Sequence, residues 1–201
     1  MATNADGRTA SWPAVAPTFV EGWTVGSAPD PGDFPAKLLI TEVATIGSDQ
    51  EFVEISNPGT EDVDMSNYFL TDANYAPGSQ YYWRITEGNA GQTTIGGGAF
   101  NDFHSQFPVG FMLAAGDTIV VSIAGTQLYS GAFGFLPDLE MWEDDAFPDN
   151  VPDMRYVFGD DVNNSIINRT GANPSVPTLT NGVEVVILYH WDGISDNVTD
   201  I

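Results

Sequence analysis

The sequence contains no cysteine and very few basic residues. The missing cysteine excludes a disulfide framework, a thiol nucleophile and every cysteine-ligated zinc or iron–sulfur site. Only 5 lysine and arginine residues stand against 28 aspartate and glutamate residues, which gives a formal net charge of −23. A nucleic-acid-binding protein neutralises phosphates with a basic face, so this composition predicts no nucleic-acid partner. The sequence also lacks an apolar run of about 18 residues, which predicts no membrane insertion.

The chain nevertheless has enough apolar surface for a packed core. Hydrophobic residues make up 42% of the 201 residues and aromatic residues 12%, unlike the composition of acidic disordered chains. The first residues lack the basic and apolar segments of a secretory signal, and the last residues, 197–201, end in mid-pattern. We therefore expect this sequence to be a piece of a longer precursor.

Two regions of different composition divide the chain. Residues 1–36 are rich in proline, which predicts an extended N-terminal arm. From Lys37 onward, apolar and polar residues alternate with a period of two, as in half-buried β-strands. The main strand patterns lie at 38–43, 51–55, 63–72, 80–85, 107–113, 118–123 and 183–189, and residues 130–142 are compatible with a short helix. The pattern predicts an all-β domain of two packed sheets over residues 37–201.

The strand pattern at 51–55 contains an internal conflict. Phe52 and Ile55 cannot lie on the same face of a regular strand, whereas Val53 and Ile55 do. We therefore expect either a β-bulge or burial on both faces at this strand.

Several of these segments together resemble the lamin-tail domain family. The matching segments are 39–43, 51–57, 63–72, 107–110, 113–121 and 181–189, followed by Asp192-Gly193 and Asp196. The resemblance implies an immunoglobulin-like β-sandwich with two large loop insertions, at about residues 73–103 and 124–180. Because the basic surface of nuclear lamins is missing, the bacterial extracellular members are the better analogy. They imply an extracellular or cell-surface location.

Candidate catalytic groups are sparse. His104 and His190 lie on different segments, and no serine lies in a nucleophile-elbow motif. Two glutamate pairs have the residue type of a glycosidase site, Glu42 with Glu54 and Glu140 with Glu143. Strand positions of this kind more often face solvent or cap a sheet edge, and histidines more often belong to the surface or the core. We therefore expect no enzymatic activity.

Acidic loops make Ca²⁺ the leading cofactor candidate. Ca²⁺ takes six to eight oxygen ligands, and short aspartate side chains on turns are able to converge on one ion. The candidate ligands are Asp144, Asp145, Asp149, Asp160, Asp161, Asp192 and Asp196. None follows EF-hand spacing, and the simpler interpretation is that these residues build turns and a charged surface.

Aromatic residues supply the candidate ligand-binding site. In the segment around residue 82, alternation places Tyr82 in the core and points Tyr81 and Trp83 outward. Together with Trp142, these side chains are suited to stack on sugar rings. The competing interpretation is that the same rings pack the sandwich core and its insertions.

Three functional hypotheses follow from the sequence. The first is a non-catalytic extracellular module for adhesion or assembly, stabilised by Ca²⁺, with a protein or glycan surface ligand. The second is an accessory substrate-binding domain of a secreted nuclease or phosphoesterase whose catalytic domain lies outside this chain. The third is a subunit of a surface filament or layer, in which the arm at 1–36 donates a strand to a neighbour and causes self-association.

Overall fold

The computed structural model describes residues 37–45, 47, 50–75, 80–87, 103–141, 149–157, 179 and 185–201, all within one unit, Pro35–Ile201. The arm predicted at 1–36 lies outside these described residues.

Most described elements are short β-strands. The strands are β1 Leu39–Ala44, β2 Phe52–Ser56, β3 Val63–Asp64, β4 Tyr68–Thr71, β5 Asn74–Tyr75, β6 Gln80–Tyr81, β7 His104–Gln106, β8 Met112–Leu113, β9 Thr118–Ser122, β10 Leu139–Glu140, β11 Arg155–Tyr156, β12 Ile187–His190 and β13 Thr199–Asp200. One α-helix, α1, spans Thr126–Phe133, and 3-10 turns span Met65–Asn67 and Tyr82–Glu87 in the described part of the chain. None of these helices is long and apolar enough to cross a membrane.

Two main sheets form the predicted all-β sandwich. The first has the strand order β1-β2-β9-β10, and the second has the order β11-β7-β4-β12-β13. The pairs β3-β8 and β5-β6 form separate two-stranded ribbons. The strand pairs are antiparallel except for β9 and β10, which run parallel. The main core contains buried side chains of both sheets, such as Val53 and Ile55 from β2 and Leu70 and Leu188 from β4 and β12.

Strand β2 is buried on both faces, as one of the two sequence alternatives required. Val53 and Ile55 face the main core, and Phe52 on the opposite face is also buried. The ring of Phe52 packs edge-to-face against Tyr129 and Phe133 of α1, so the helix covers this outer face. The bulge lies instead in the neighbouring strand β1, where the register shifts between Ile40 and Glu42.

The sequence pattern predicted the position of helix α1 incorrectly. It begins at Thr126, before the predicted 130–142, and ends at Phe133, where Gly134 adopts a left-handed conformation with a φ of 82°. The N–H of Gly134 donates to the carbonyl of Ser130, which closes the last turn. At the other end, the buried Glu140 carboxylate accepts a 2.6 Å hydrogen bond from the backbone N–H of Thr126. This cap comes from fourteen residues downstream, so a local pattern does not reveal it.

The two predicted insertions contribute strands to the sandwich. In the second insertion, β10 extends the first sheet beside β9, and β11 extends the second sheet beside β7. In the first insertion, β5 and β6 form a hairpin that leads into the 3-10 turn Tyr82–Glu87. The described part of the second insertion therefore extends both main sheets, whereas that of the first forms a separate hairpin.

Buried acids close the base of each insertion. At the first, the Asp72 carboxylate accepts a 2.6 Å hydrogen bond from the N–H of Phe103, and Thr71 Oγ1 donates to the Phe103 carbonyl over 2.7 Å. At the second, the carbonyl of Glu51 accepts from the N–H of Ile123, and its carboxylate accepts from the N–H of Leu179 over 2.9 Å. The chain thus leaves and rejoins the sandwich at fixed points.

Asn57 joins the two turns at one end of the first sheet. Its side-chain NH₂ donates to the carbonyls of Glu61, Leu113 and Ala114 at 2.9–3.2 Å. Its side-chain oxygen accepts from Gly59 N–H over 3.0 Å. Because this side chain is only 1% exposed, its removal leaves these backbone groups without their partner.

We predict that Asn57→Ala lowers the free energy of unfolding by about 2–4 kcal/mol, since several partly buried backbone groups lose a hydrogen bond at once. Urea unfolding followed by tryptophan fluorescence measures the loss. Asn67→Ala is the matched control because Asn67 is exposed, and it is expected to change stability by less than about 0.5 kcal/mol. Equal effects of the two substitutions would contradict the role assigned to Asn57.

Candidate ligand-binding site

Two aromatic rings, those of Tyr81 and Trp83, stack against each other at the surface. Their centroids are 5.4 Å apart and their planes differ by 12°, which is an offset-stacked arrangement. Trp83 is 48% exposed, and Tyr81 is partly exposed. We call these two residues the aromatic ledge.

The backbone of this segment explains which rings point outward. The predicted strand over 80–85 is only partly right: β6 ends at Tyr81, and the chain continues as a 3-10 turn. A 3-10 turn repeats every three residues, so Tyr82 and Ile85 share one side, and both are buried. Trp83 falls on the next side and is exposed. The predicted inward position of Tyr82 and outward position of Trp83 are confirmed.

The ledge is anchored on the outer face of the second sheet. Phe69 and Tyr189 point to this face, and their rings stack with centroids 4.9 Å apart. The ring of Tyr82 lies 5.1 Å from that of Tyr189. The Tyr82 hydroxyl donates a 2.7 Å hydrogen bond to an Asp200 carboxylate oxygen. The turn that carries Trp83 is therefore held by both apolar packing and a hydrogen bond.

The two tyrosines that anchor the ledge, Tyr82 and Tyr189, both resist ionisation. Burial, together with the hydrogen bond and the negative charge of Asp200, raises the pKa of Tyr82 far above its usual value. Burial likewise raises the pKa of Tyr189 well above 10.0. Burial disfavours the phenolate, so both hydroxyls remain neutral groups at physiological pH.

A charged pair borders the ledge on the same turn. Arg84 Nε and Nη2 each donate a 2.8 Å hydrogen bond to an oxygen of Glu87, which makes the pair bidentate. This geometry fixes two polar side chains on the turn that carries Trp83. An apolar ring with a fixed polar rim suits a ligand that has both an apolar face and hydroxyl groups.

The two histidines belong to the packing of the sandwich. His104 is buried, its Nε2 forms a hydrogen bond with the Tyr189 hydroxyl, and its ring packs edge-to-face on Phe69. His190 is partly buried and packs edge-to-face on Tyr68. Burial lowers the pKa of His190, while the Asp192 carboxylate opposes this effect. Both positions agree with the surface or core role expected from the sequence.

The proposed glutamate pairs also have structural positions. Glu42 and Glu54 lie opposite each other across β1 and β2, and the Thr41 hydroxyl donates to Glu54 over 2.6 Å. Glu140 is buried and caps α1 through the N–H of Thr126. Glu143 lies outside the described residues.

Three of the seven candidate Ca²⁺ ligands lie in the described part of the chain. Asp149 accepts a 2.6 Å hydrogen bond from Val151 N–H. Asp192 accepts from the N–H groups of Ile194 and Ser195 at 2.8 and 2.7 Å, and these bonds lower its pKa. Asp196 lies in the turn that follows. Both Asp149 and Asp192 therefore cap turns, as the simpler interpretation expects.

The remaining predicted site residues fall outside the described residues. These are Asp144, Asp145, Asp160, Asp161 and Trp142. Within the described ranges, no group of three or more aspartate, glutamate or histidine side chains is arranged to hold a metal ion. Calcium binding by the acidic loops stays a prediction.

Sequence reasoning did not predict that the acids Glu51, Asp72 and Glu140 are buried and bind backbone N–H groups. Each was assigned to a strand or loop pattern, yet each accepts a hydrogen bond from a backbone N–H that is distant in sequence. The available signal was an acid directly beside strongly apolar strands, at the start of β2 and the end of β4. Charged residues are rarely buried without such partners.

These two packed sheets, with most strand pairs antiparallel, define an immunoglobulin-like β-sandwich. The chain belongs to the lamin tail domain family, whose model matches residues 34–193 and whose domains fit a non-catalytic binding or assembly module. This confirms the family resemblance and the fold class drawn from the sequence.

Among solved structures, a DUF4876 family protein from Bacteroides thetaiotaomicron is similar to this chain. The two share 16% sequence identity with a TM-score of 0.46, and the match covers 83% of this chain and 51% of that one. The chain thus spans about half the length of that protein. No curated protein matches the sequence.

The raised pKa values of Tyr82 and Tyr189 predict an alkaline limit to stability. A group whose pKa is raised on folding contributes stability that is complete below its unfolded pKa of about 10 and is lost as the pH rises further. Ultraviolet difference titration should show that these two tyrosines ionise only as the domain unfolds. Tyr82→Phe should lower stability at neutral pH by about 1 kcal/mol and reduce its decline above pH ~10.

Tyr81→Phe is the control because the Tyr81 ring belongs to the ledge and not to the buried cluster. It should keep the alkaline decline of the wild type. Ionisation of all tyrosines before any unfolding would show that the assigned burial is wrong.

Proposed function

We propose that this domain is a non-catalytic extracellular binding module that holds a glycan on the aromatic ledge. The observation that carries the proposal is the stacked pair Tyr81 and Trp83, presented outward on a turn whose inward side chains are buried. The flat, partly exposed ring of Trp83 matches the C–H face of a pyranose. The bidentate Arg84–Glu87 pair offers hydrogen-bonding groups to sugar hydroxyls at the rim.

The proposed extracellular location follows from the resemblance of this chain to bacterial members of the family. Bacterial surface proteins carry domains of this kind, and an acidic, cysteine-free domain is compatible with that environment. The second hypothesis, an accessory domain of a secreted nuclease or phosphoesterase, stays a prediction, because its catalytic domain would lie outside this chain. The filament hypothesis depends on the arm at 1–36, outside the described residues, and remains a prediction.

In the proposed function, Ca²⁺ stabilises the acidic loops. Its support is the density of aspartate and asparagine in the loops and the hard oxygen ligands that they provide. Asp192 illustrates the chemistry, because its carboxylate stays ionised while one of its oxygens already accepts two backbone N–H groups.

We predict that the domain binds at least one soluble neutral polysaccharide from a panel of glucans, mannans and xylans. Isothermal titration calorimetry should show that Trp83→Ala weakens this binding by about tenfold or more, as expected for a central aromatic contact. Because Tyr82 and Ile85 anchor the turn, Trp83→Ala should leave thermal stability nearly unchanged.

Phe135→Ala is the matched control because Phe135 is an exposed ring that packs on Tyr129 of α1, at the first sheet. It should bind the polysaccharide like the wild type. Unchanged binding by Trp83→Ala, or no binding to any polysaccharide, would reject the ledge as a glycan site. Turnover of nucleic-acid, phosphoester or glycan substrates by the purified chain would reject the non-catalytic assignment.

A separate prediction concerns Ca²⁺. A ligand that binds only the folded state raises stability by mass action, whereas screening affects Ca²⁺ and Mg²⁺ alike. Thermal unfolding in EDTA, CaCl₂, MgCl₂ and NaCl at matched ionic strength should show a rise specific to Ca²⁺.

The variant Asp192→Asn distinguishes a role of Asp192 in Ca²⁺ binding from its role in the turn. Asparagine keeps an oxygen that is able to accept the N–H groups of Ile194 and Ser195, but it removes the charge. A smaller calcium shift in this variant, with equal stability in EDTA, would place an ion at this loop. Equal shifts in every salt would show that the acids form only a solvated surface.

A further inference from the structure

Within the described ranges, strand β1 is the outermost strand of the first sheet and has β2 as its single strand partner, so its other edge is unpaired there. Among the described residues, no backbone hydrogen bond reaches its other edge. Leu39 is 51% and Val43 38% exposed along this strand. Open edges present N–H and C=O groups to other chains, and proteins usually cover them unless the edge serves for binding.

A pocket of about 350 Å³ opens beside this edge. We call it the edge pocket, and it is lined by Glu42, Val43, Ala44, Thr45, Gln50, Phe52 and Phe133. Phe133 is 38% exposed, and its ring packs edge-to-face on Phe52 with centroids 5.6 Å apart. The pocket therefore combines an aromatic wall from α1 and β2 with an acidic rim from β1.

The bulge in β1 accounts for the acidic rim. Ile40 pairs with Ile55 on the core face, and a regular strand would direct residue 42 to that same face. The register shift between Ile40 and Glu42 instead sets Glu42 opposite Glu54 on the outer face. Bulges commonly re-aim a side chain in this way beside binding sites.

This outer face is strongly negative. Glu42 and Glu54 are directly opposite across the two strands, an arrangement that is unfavourable without a cation. Burial raises the pKa of Tyr129, and the carboxylates of Asp138, Glu54 and Glu42 add to the effect, so these charges act on one small region. None of the described residues that line the edge pocket is basic, and the whole chain has only 5 lysine and arginine residues.

We propose that the β1 edge and the edge pocket bind an extended segment of another protein, which adds a strand to β1 and inserts a lysine or arginine side chain. The cationic head would meet Glu42 and Glu54. Its methylene stem would lie along Phe52 and Phe133, where aromatic faces also attract a cation. Backbone pairing supplies affinity and the pocket supplies selectivity, as in other cases of strand addition.

Charge selects against a second copy of this chain at the same edge. Edge-to-edge pairing of two copies would bring together two molecules that each carry a net charge of −23. Like charges at such a contact raise its free energy, whereas a basic segment lowers it.

The test uses a fluorescein-labelled, end-blocked peptide of alternating lysine and valine, with a glutamate–valine peptide of equal length for comparison. Fluorescence anisotropy at physiological ionic strength, where charges more than about 8 Å apart are screened, should detect binding of the lysine peptide only. Glu42→Gln should weaken it about fivefold, the loss expected for one partly exposed charge pair. Amide NMR shifts should concentrate in Leu39–Ala44.

Matched variants distinguish binding in the edge pocket from an effect of net charge or of exposed apolar surface elsewhere. Glu61→Gln makes the same charge change at an exposed turn, and Met112→Ala removes an exposed apolar side chain from β8. Both should bind the peptide like the wild type, whereas Phe133→Ala should weaken it. Trp83→Ala should leave it unchanged, which keeps this site separate from the ledge.

Several results would overturn the proposal. Equal weakening by Glu42→Gln and Glu61→Gln would mean that only net charge attracts the peptide. Absence of binding, or NMR shifts away from β1, would remove the edge as the site. Concentration-dependent self-association in sedimentation experiments, lost on changing β1, would assign the edge to a second copy of the chain.

Discussion

Three buried carboxylates fix the points at which the long insertions meet the sandwich. Asp72 binds the N–H of Phe103, and Glu51 binds that of Leu179. Glu140 binds the N–H of Thr126, at the start of α1. Burying a carboxylate costs free energy unless it accepts such hydrogen bonds. Each bond also gives an acceptor to a backbone N–H that the strands leave unpaired. The ledge and the edge pocket both depend on these contacts, because each is built on a segment that they hold.

The two surfaces lie on opposite outer faces of one scaffold. Phe69 and Tyr189 give the second sheet an apolar outer face, which the turn bearing Trp83 covers. Phe52 gives the first sheet its own apolar patch, which α1 covers. A sandwich with only one core would leave both patches in water. Because each sheet is apolar on both faces, the turn that bears Trp83 and helix α1 are able to pack on the outer faces and to carry the proposed ligand contacts.

Much of the fold was accessible from the sequence because strand periodicity is a local signal. The alternation at 51–55 and 118–123 identified β2 and β9. The conflict between Phe52 and Ile55 left a β-bulge or burial on both faces as alternatives, and the structure shows the second. The inward direction of Tyr82 was also readable, although it was predicted from strand alternation and the segment is a 3-10 turn. The 3-10 turn was not, because an i, i+3 repeat of buried residues is too short to separate from strand alternation. The bulge in β1 and the Glu140 cap depend on pairing across the sheet, which no local pattern contains.

The closed base of the first insertion has a consequence for how such domains diversify. The N–H of Asp72 and the carbonyl of Phe103 are joined by a 3.3 Å hydrogen bond, so the ends of the intervening chain already meet. Once loop ends are fixed, doubling the loop length costs only about 0.6 kcal/mol of closure entropy. Recombination or insertion between these residues therefore changes the presented surface at little cost to the scaffold. The site behaves as a graft point, at which related domains can exchange recognition segments while keeping one core.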